Sequence, residues 1–392
     1  MNIRLKTKAE ISESALTHNY NTICSHVREH TVGKAPEVIC VVKADGYGHG
    51  VDTVSEVLGN VGCRFFAVSS EMEAKELREL EMGRGRHPQI LILGYTFPEN
   101  AAAMAELDVI CAAVSYDHAI LLAAEAEKAG VRLKVHIKLD TGMNRVGFSA
   151  MPCDADRTAA QIAELKANPN LDLCGIFTHY AVADDEFLDK KYKEDGIERT
   201  LRQLERYKNV LSKLEALGVD PGLRHTANSA AIFGCPDTYF DAVRAGVILY
   251  GMFPNGEVNG ILRPVMRLSS TVGHTHTMYK GESVSYGGVF TADRDMTVAV
   301  ITAGYADGYV RRYTGGYVTV NGRQYRQVGR ICMDQFMIDI TGHESEVHPG
   351  DEAVLFGGDD CSALENLARL AQTINYECTC IVTKRVPRIR TK

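Results

Sequence analysis

The chain keeps two hydrophobic rhythms for its first two-thirds and only one afterwards. Short apolar, β-branched runs occur at Val38–Val42, Phe65–Val68, Gln89–Leu93, Val109–Val114, Leu133–Leu139, Leu173–Phe177, Gly222–Thr226 and Ala242–Tyr250. Between most of them lie stretches with apolar residues three and four apart, at Ala15–Val27, Val51–Leu58, Glu71–Glu81, His118–Ala129 and Ile197–Leu217. The first pattern predicts buried strands and the second amphipathic helices. Gly218 follows the last of these helices, where a helix stop belongs. Eight strands alternating with helices predict an α/β fold, a (β/α)8 barrel of the TIM type. An open doubly wound sheet is the competing topology, and the lack of a G-x-G-x-x-G after the first strand speaks against it.

After about residue 255 the helical period fades and alternation takes over. Val318-Thr319-Val320 followed by Asn321-Gly322 predicts a hairpin. Thr297–Thr302 and Ala353–Phe356 predict further strands, with one helix near Ser362–Ile374. The joint falls within Asn255–Pro264. The expected division is therefore a barrel over residues 11–256 and a mainly β C-terminal domain over 257–392, with residues 1–10 as candidates to join the second.

Composition narrows this picture without changing it. The 392 residues, 45% of them hydrophobic, allow a large core and about two domains. A net charge of -7 argues against a nucleic-acid surface. The basic cluster Lys384, Arg385, Arg388 and Arg390 reads as a solvated end. No apolar run reaches the roughly 18 residues of a membrane span, and residues 1–10 lack a signal core. Eleven cysteines show neither framework nor metal-ligand spacing, which fits a reducing, cytoplasmic setting.

In such a barrel the chemistry gathers where strands end. The first apolar run delivers Lys43 to a loop containing Gly46, Gly48 and Gly50. That is a poor place for a solvated charge and a good one for an amine that forms a Schiff base. Lys138, Asp140 and Arg145 lie at or beyond the fifth strand, His179 at the sixth, Asn228 and Ser229 at the seventh and Arg244 on the eighth. Taken singly, each has an ordinary role: a structural histidine, a loop arginine, a rim lysine, or Ser229 as a helix N-cap. A cap there would also present backbone N–H groups to a phosphate. Jointly they fit a phosphorylated carbonyl ligand, of which pyridoxal phosphate is one. In the β part, Tyr286 and Tyr305 sit beside glycines, and Cys332 has no partner base in sequence.

These segments, in order, resemble the bacterial alanine racemases. The resemblance runs over nearly the whole length. It rests on Val42–Gly50 (VKADGYGHG), Lys138–Arg145 (KLDTGMNR), Thr178-His179-Tyr180-Ala181, His225–Ser229 (HTANS), Ser285-Tyr286-Gly287, Gly304–Gly308 (GYADG), Cys332–Gln335 (CMDQ), Asn375-Tyr376-Glu377 and Arg385–Arg388 (RVPR). It implies a homodimer with pyridoxal phosphate held by Lys43. Tyr47, Asn228, Ser229, the backbone of Gly246 and Val247, and Tyr376 would hold the cofactor, mainly at its phosphate. Arg244 would face the pyridine nitrogen, with His179 beside it. Arg145 would contact the cofactor and the substrate carboxylate, steadied by a carbamylated Lys138. Tyr286 and the Met333 backbone N–H would come from the partner subunit, and Tyr305 and Tyr376 would narrow the entrance.

Racemisation needs a proton taken from one face of Cα and returned to the other, so two opposed bases suit it. By the resemblance these are Lys43 and Tyr286, acting on L- and D-alanine to supply D-alanine for peptidoglycan. A free tyrosine ionises near pH 10, so nearby cations must favour its phenolate. The alternatives are a serine or broad-specificity racemase of the same family, a decarboxylase of the same barrel type, and a non-catalytic cofactor binder. The retained Tyr376 favours alanine over serine, Arg244 disfavours the decarboxylase, and the full β part with Tyr286 disfavours the binder.

Overall fold

The computed structural model describes residues 4–184, 196–359 and 361–392. β1 (Lys8–Ser12) is followed by the helix Glu13–Glu29, where the Ser12 hydroxyl accepts a hydrogen bond from Ala15 N at 3.1 Å. That cap satisfies one of the donors a helix start leaves open. The barrel then builds in order: β2 (Glu37–Val41), β3 (Phe65–Val68), β4 (Gln89–Ile92), β5 (Ile110–Ala113), β6 (Leu133–Asp140), a two-residue β7 (Phe148–Ser149) set on the end of β6, β8 (Leu171–Phe177), β9 (Leu223–His225) and β10 (Ala242–Ala245). Every neighbouring pair is parallel, and β10 pairs with β2 to close a ring of eight. The (β/α)8 expectation holds. Strands β3, β5 and β10 are buried at every position, as sheets covered by helices require.

The second part is a closed β structure. It comprises β11 (Met266–Met278), the small pair β12 (Ser283–Val284) and β13 (Phe290–Thr291), then β14 (Met296–Ile301), β15 (Tyr317–Val320), β16 (Arg323–Val328), β17 (Phe336–Asp339), β18 (Glu352–Phe356) and β19 (Arg388–Thr391). The ring runs β14-β17-β16-β15-β18-β11, and β11 returns to β14. β15 and β16 form the expected hairpin, with Asn321 and Gly322 both at positive φ, the geometry its two-residue turn demands. β1 and β19 extend this sheet: Ala9 pairs antiparallel with Leu268 and parallel with Arg388.

Three expectations need correction. The run Ala242–Tyr250 is not one strand, because the chain turns at Gly246 and continues as a 3-10 turn over Val247–Tyr250. The predicted helix Ser362–Ile374 stops at Ala371, where Gln372 enters the left-handed region. The C-terminal basic cluster is exposed at Lys384, Arg385 and Arg390, as a solvated end would be, but its arginines are engaged rather than free. Arg385 pairs with Asp307 at 3.1 Å and Asp334 at 2.6 Å, Arg390 with Glu13 and Glu56, and Arg388 lies half-buried on backbone carbonyls. Local composition hid this because each partner is distant in sequence.

Candidate active site

Lys43 stands two residues beyond β2, at the start of an unusual turn rather than on the strand itself. Ala44, Asp45, Gly46, Tyr47 and Gly48 have φ values of 53°, 54°, 62°, 53° and 81°. They form one left-handed turn. Such a conformation costs roughly 1–2 kcal/mol per non-glycine residue, so Ala44, Asp45 and Tyr47 together carry about 3–6 kcal/mol. The surroundings hold it. Gly48 N donates to Ala44 O and Gly50 N to Asp45 O, both at 2.9 Å. The Glu73 carboxylate accepts from Ala44 N at 2.8 Å and Ser69 N at 2.7 Å, and Asp45 accepts from Val51 N at 2.7 Å. The buried His49 ring places Nδ1 3.0 Å from both Gly46 O and Tyr47 O.

Lys43 opens on a cavity of about 190 Å³ at the carboxyl ends of the barrel strands. Tyr47, Lys138, Arg145, His179, Asn228, Ser229, Arg244, Gly246 and Tyr376 line it too, so nine further predicted residues meet around Lys43. Larger surface clefts of about 660 and 910 Å³ lie elsewhere and contain none of these groups. Burial lowers the Lys43 pKa; the charges of Arg145 and Arg244 push the same way and Glu73 opposes them. Its amine is thus easier to deprotonate, and so more nucleophilic near neutral pH, than a surface lysine. Lys138 is buried, donates to Leu139 O at 2.7 Å, and is lowered to about 7, first by burial and then by Arg244. The Asp140 carboxylate accepts from Gly142 N and Asn144 N, folding the loop that carries Arg145.

Arg244 crosses the barrel interior. Its guanidinium donates to His225 O and Nδ1 at 2.9 Å, Thr178 O at 2.7 Å and Thr226 O at 2.9 Å, with His179 Nδ1 at 3.4 Å. Burial lowers its pKa only to about 10, so it stays charged. A guanidinium can only donate, so His225 must accept at Nδ1 and carry its proton on Nε2. That proton goes to His136 Nδ1, 3.0 Å away. One fixed charge therefore sets the tautomers of two buried histidines. Burial, then Arg244, holds His136, His179 and His225 far below the usual histidine range, so all three are neutral.

The opposite wall is a recess of hydroxyls that can serve as an anion cradle. A Cβ on Gly246 would lie 2.7 Å from the Tyr47 hydroxyl and 3.3 Å from the Ser229 hydroxyl, so the two hydroxyls converge where only glycine fits. Ser229 is not the helix cap. Asn228 caps the helix Ser229–Gly234 by accepting from Ala231 N at 3.1 Å, leaving the Ser229 hydroxyl to accept from Gly246 N at 2.9 Å. Val247 lies behind the cradle, fully buried, and does not line the cavity through its side chain. Sequence reasoning missed Phe177 and Glu73. Phe177 lines the cavity, stacks on His225 at 4.8 Å and lies beneath Lys138 and Arg244, each 5.5 Å from its centroid. Its signal was its place at the end of β8, two residues before His179. Glu73 lay in a helix whose pattern gave no sign of its bond to Ala44.

Besides Val247, three predicted residues do not join this cavity. Tyr286, Met333 and Tyr305 are 70%, 51% and 39% exposed and belong to neighbouring turns of the β part. The Ser285 hydroxyl donates to Arg330 O at 2.6 Å and lies 3.2 Å from Cys332 Sγ, while Tyr305 N donates to Cys332 O and Ala306 N to Met333 O. These contacts hold the three in one group.

What such a mouth can take is narrow. A ligand with a carbonyl for the lysine amine and a phosphate for the hydroxyls would fit it, and pyridoxal phosphate has both. The fold and site thus fit a barrel enzyme that uses this cofactor. The family model "Alanine racemase, N-terminal domain" matches residues 11–254, and "Alanine racemase, C-terminal domain" matches 265–390. The chain is 40% identical over 385 residues to an alanine racemase of Desulforamulus reducens, covering 97% of this chain and 98% of that one. Alanine racemase 1 of Clostridium acetobutylicum is 38% identical over 392 residues, covering 98% and 95%. A solved alanine racemase of Clostridium difficile superposes with a TM-score of 0.88 at 34% identity, over 100% of this chain and 97% of that one. A Bacillus anthracis alanine racemase solved with bound L-Ala-P gives 0.84 at 30% identity, over 100% and 96%. The chain belongs to the alanine racemase family, whose members are pyridoxal-phosphate-dependent isomerases.

Proposed function

We propose that this chain interconverts L- and D-alanine, with Lys43 and Tyr286 as the two bases and each Tyr286 supplied to the site of a second copy. The supporting observation is the separation of the two groups: Lys43 lies inside the barrel mouth, while Tyr286 of the same chain is exposed on another surface. Bound at the mouth, pyridoxal phosphate supplies an electron sink for the pair released when the Cα–H bond breaks. Lys43 would hold it through its amine, and the same Nζ would take or give the proton on one face of Cα. Tyr47, Ser229, Tyr376 and the backbone of Gly246 and Val247 hold the phosphate, and Asn228 fixes the helix start beside it. Arg244 remains charged and would face the ring nitrogen, where it would disfavour a proton and so keep the sink weak and limit side reactions. His179 is neutral and would lie beside the ring.

Arg145 meets the carboxylates that approach the mouth. A carbamate on Lys138 would give it an anionic partner, and an amine lowered to about 7 is neutral often enough to form one. On the other side, Tyr286 Oη exchanges the second proton, the Met333 backbone N–H binds the substrate carboxylate, and Tyr305 with Tyr376 limits side-chain size. The dimer, the cytoplasmic setting and a role in supplying D-alanine for peptidoglycan belong to the same proposal. So does the division into residues 11–256 and 257–392, with residues 1–10 joining the second part, a grouping that the β1–β11 pairing supports.

Mixing inactive variants tests the shared site. Lys43→Ala and Tyr286→Phe each remove one base. A mixed dimer keeps one intact site, made from the Lys43 of one chain and the Tyr286 of the other. Random mixing makes about half the dimers mixed, so activity should recover to about a quarter of wild type. Loss of circular dichroism from L-alanine reads it out. No recovery after subunit exchange places both bases in one chain and refutes the shared site.

A further inference from the structure

The segment Val382–Arg388 contains the RVPR motif, which the reaction as described does not use. Arg388, on the last strand, donates from Nε to Gly48 O at 2.9 Å, across 340 positions of sequence. Its remaining donors go to its own turn: Nη1 to Thr383 O at 2.6 Å and Val386 O at 2.8 Å, and Nη2 to Val382 O at 2.6 Å. Gly48 closes the left-handed turn after Lys43. A Cβ there would lie 2.2 Å from Thr379 O, so the β part packs directly against the lysine loop. The same segment grips the exposed turns. Thr383 donates through its hydroxyl to Ala306 O at 2.8 Å and through its N–H to Asp307 O at 3.3 Å. Arg385 pairs with Asp307 and Asp334, next to Tyr305 and Met333.

We propose that Val382–Arg388 is a strut tying the lysine loop to the turns of Tyr305 and Met333, and that Arg388 is the positioning residue for Lys43. The left-handed turn is unfavourable for three of its residues, so it persists only while outside contacts hold it. Glu73 holds its first amide and Arg388 its last carbonyl. A guanidinium suits the task because its planar fork serves four carbonyls at once, which an ammonium on a flexible stem does not. The strut thereby sets where the Lys43 amine meets its carbonyl ligand. This rests on the cofactor reading above.

The test compares full-length wild type, Arg388→Met and Arg388→Lys. Amide hydrogen exchange is followed in the cofactor-free chain, and pyridoxal phosphate binding by absorbance titration. Exchange at residues 44–50 should rise about 10- to 100-fold in Arg388→Met, with β3 to β6 unchanged, and the cofactor Kd should rise by a similar factor. Arg388→Lys should fall between. Uniformly faster exchange over the whole β part makes Arg388 a fold staple and overturns the proposal. So does wild-type exchange and affinity in the Met variant. If Arg388→Met does not fold, Arg388→Lys is read by the same criteria. Failure of the wild type to bind pyridoxal phosphate would instead sink the cofactor reading, so the two failures are distinguishable.

Discussion

Gly246→Ala puts the cradle to a direct test. The new methyl would lie 2.7 Å from the Tyr47 hydroxyl, closer than real Cβ atoms come, and 3.3 Å from that of Ser229. Tyr47 cannot swing clear cheaply. It is 6% exposed, with Tyr250 at 5.0 Å and Tyr376 at 6.0 Å between ring centroids, and its own backbone is fixed in the left-handed turn. Overpacking of this kind costs about 1–3 kcal/mol. If Tyr47 shifts to relieve the strain, the cost falls on the proposed phosphate site, and the pyridoxal phosphate Kd rises roughly 5- to 150-fold. If it does not shift, the cost falls on folding and the unliganded chain loses that stability. Absorbance titration reads the first and urea unfolding of the cofactor-free chain the second, so the two losses must together reach at least about 1 kcal/mol. Gly83→Ala is the control. It ends a helix with nothing within 4 Å and should be neutral or slightly stabilising. Unchanged affinity together with unchanged stability in Gly246→Ala would show that the hydroxyls do not converge there.

Two further outcomes follow from buried titratable groups. His49 and His136 are lowered by burial to about 4 and about 3, while an unfolded histidine titrates near 6.5. Their neutral forms are fully stabilising above 6.5, and the unfolded chain takes up the extra protons below it; each therefore costs about 2 kcal/mol between pH 7 and pH 5. His179 and His225 act in the same direction. The urea midpoint of the cofactor-free chain should fall across that window, above the range where carboxylates such as Glu352 respond; a flat profile contradicts neutral burial. For Lys138, with a pKa of about 7, a bicarbonate-free preparation should lose activity and regain it on adding bicarbonate at pH 8, more slowly at pH 6. Identical activity with and without bicarbonate, in protein shown by electron density to carry a plain amine, would remove the carbamate from the proposal.

The barrel was legible because its signal is local. Each strand is a short apolar run, and each polar residue at a strand end is visible in place, so Lys43, Lys138, His179, Ser229 and Arg244 were found before any geometry. Three kinds of information were not local. The left-handed turn after Lys43 contains Ala44, Asp45 and Tyr47, residue types that ordinarily avoid that region, so only tertiary contacts explain it. The tautomers of His225 and His136 depend on a guanidinium from another strand. The C-terminal arginines looked unpaired because Glu13, Glu56, Asp307 and Asp334 lie far away in sequence. The ordinary alternative for Ser229, a helix cap, falls one residue away: Asn228 caps the helix while Ser229 engages Gly246 N, and sequence could not choose between two adjacent residues that can both cap.

The proposed roles divide between the two parts of the chain. The parallel strands end at one rim, where Lys43, Arg244 and the Tyr47 and Ser229 hydroxyls meet. In the proposed reaction these groups would anchor the cofactor, face its ring and hold its phosphate, and Lys43 would serve one proton. Inverting a carbon centre needs a second proton on the opposite face, and the proposed second base, Tyr286, lies outside the barrel of its own chain. Tyr286, Met333 and Tyr305 stand on exposed turns outside their own cavity. In the proposed dimer, one such surface on each chain would complete two sites through a single self-complementary contact about a two-fold axis. The mixed-variant experiment is decisive for this reason: it separates a tyrosine that waits for its own lysine from one that serves a neighbour's.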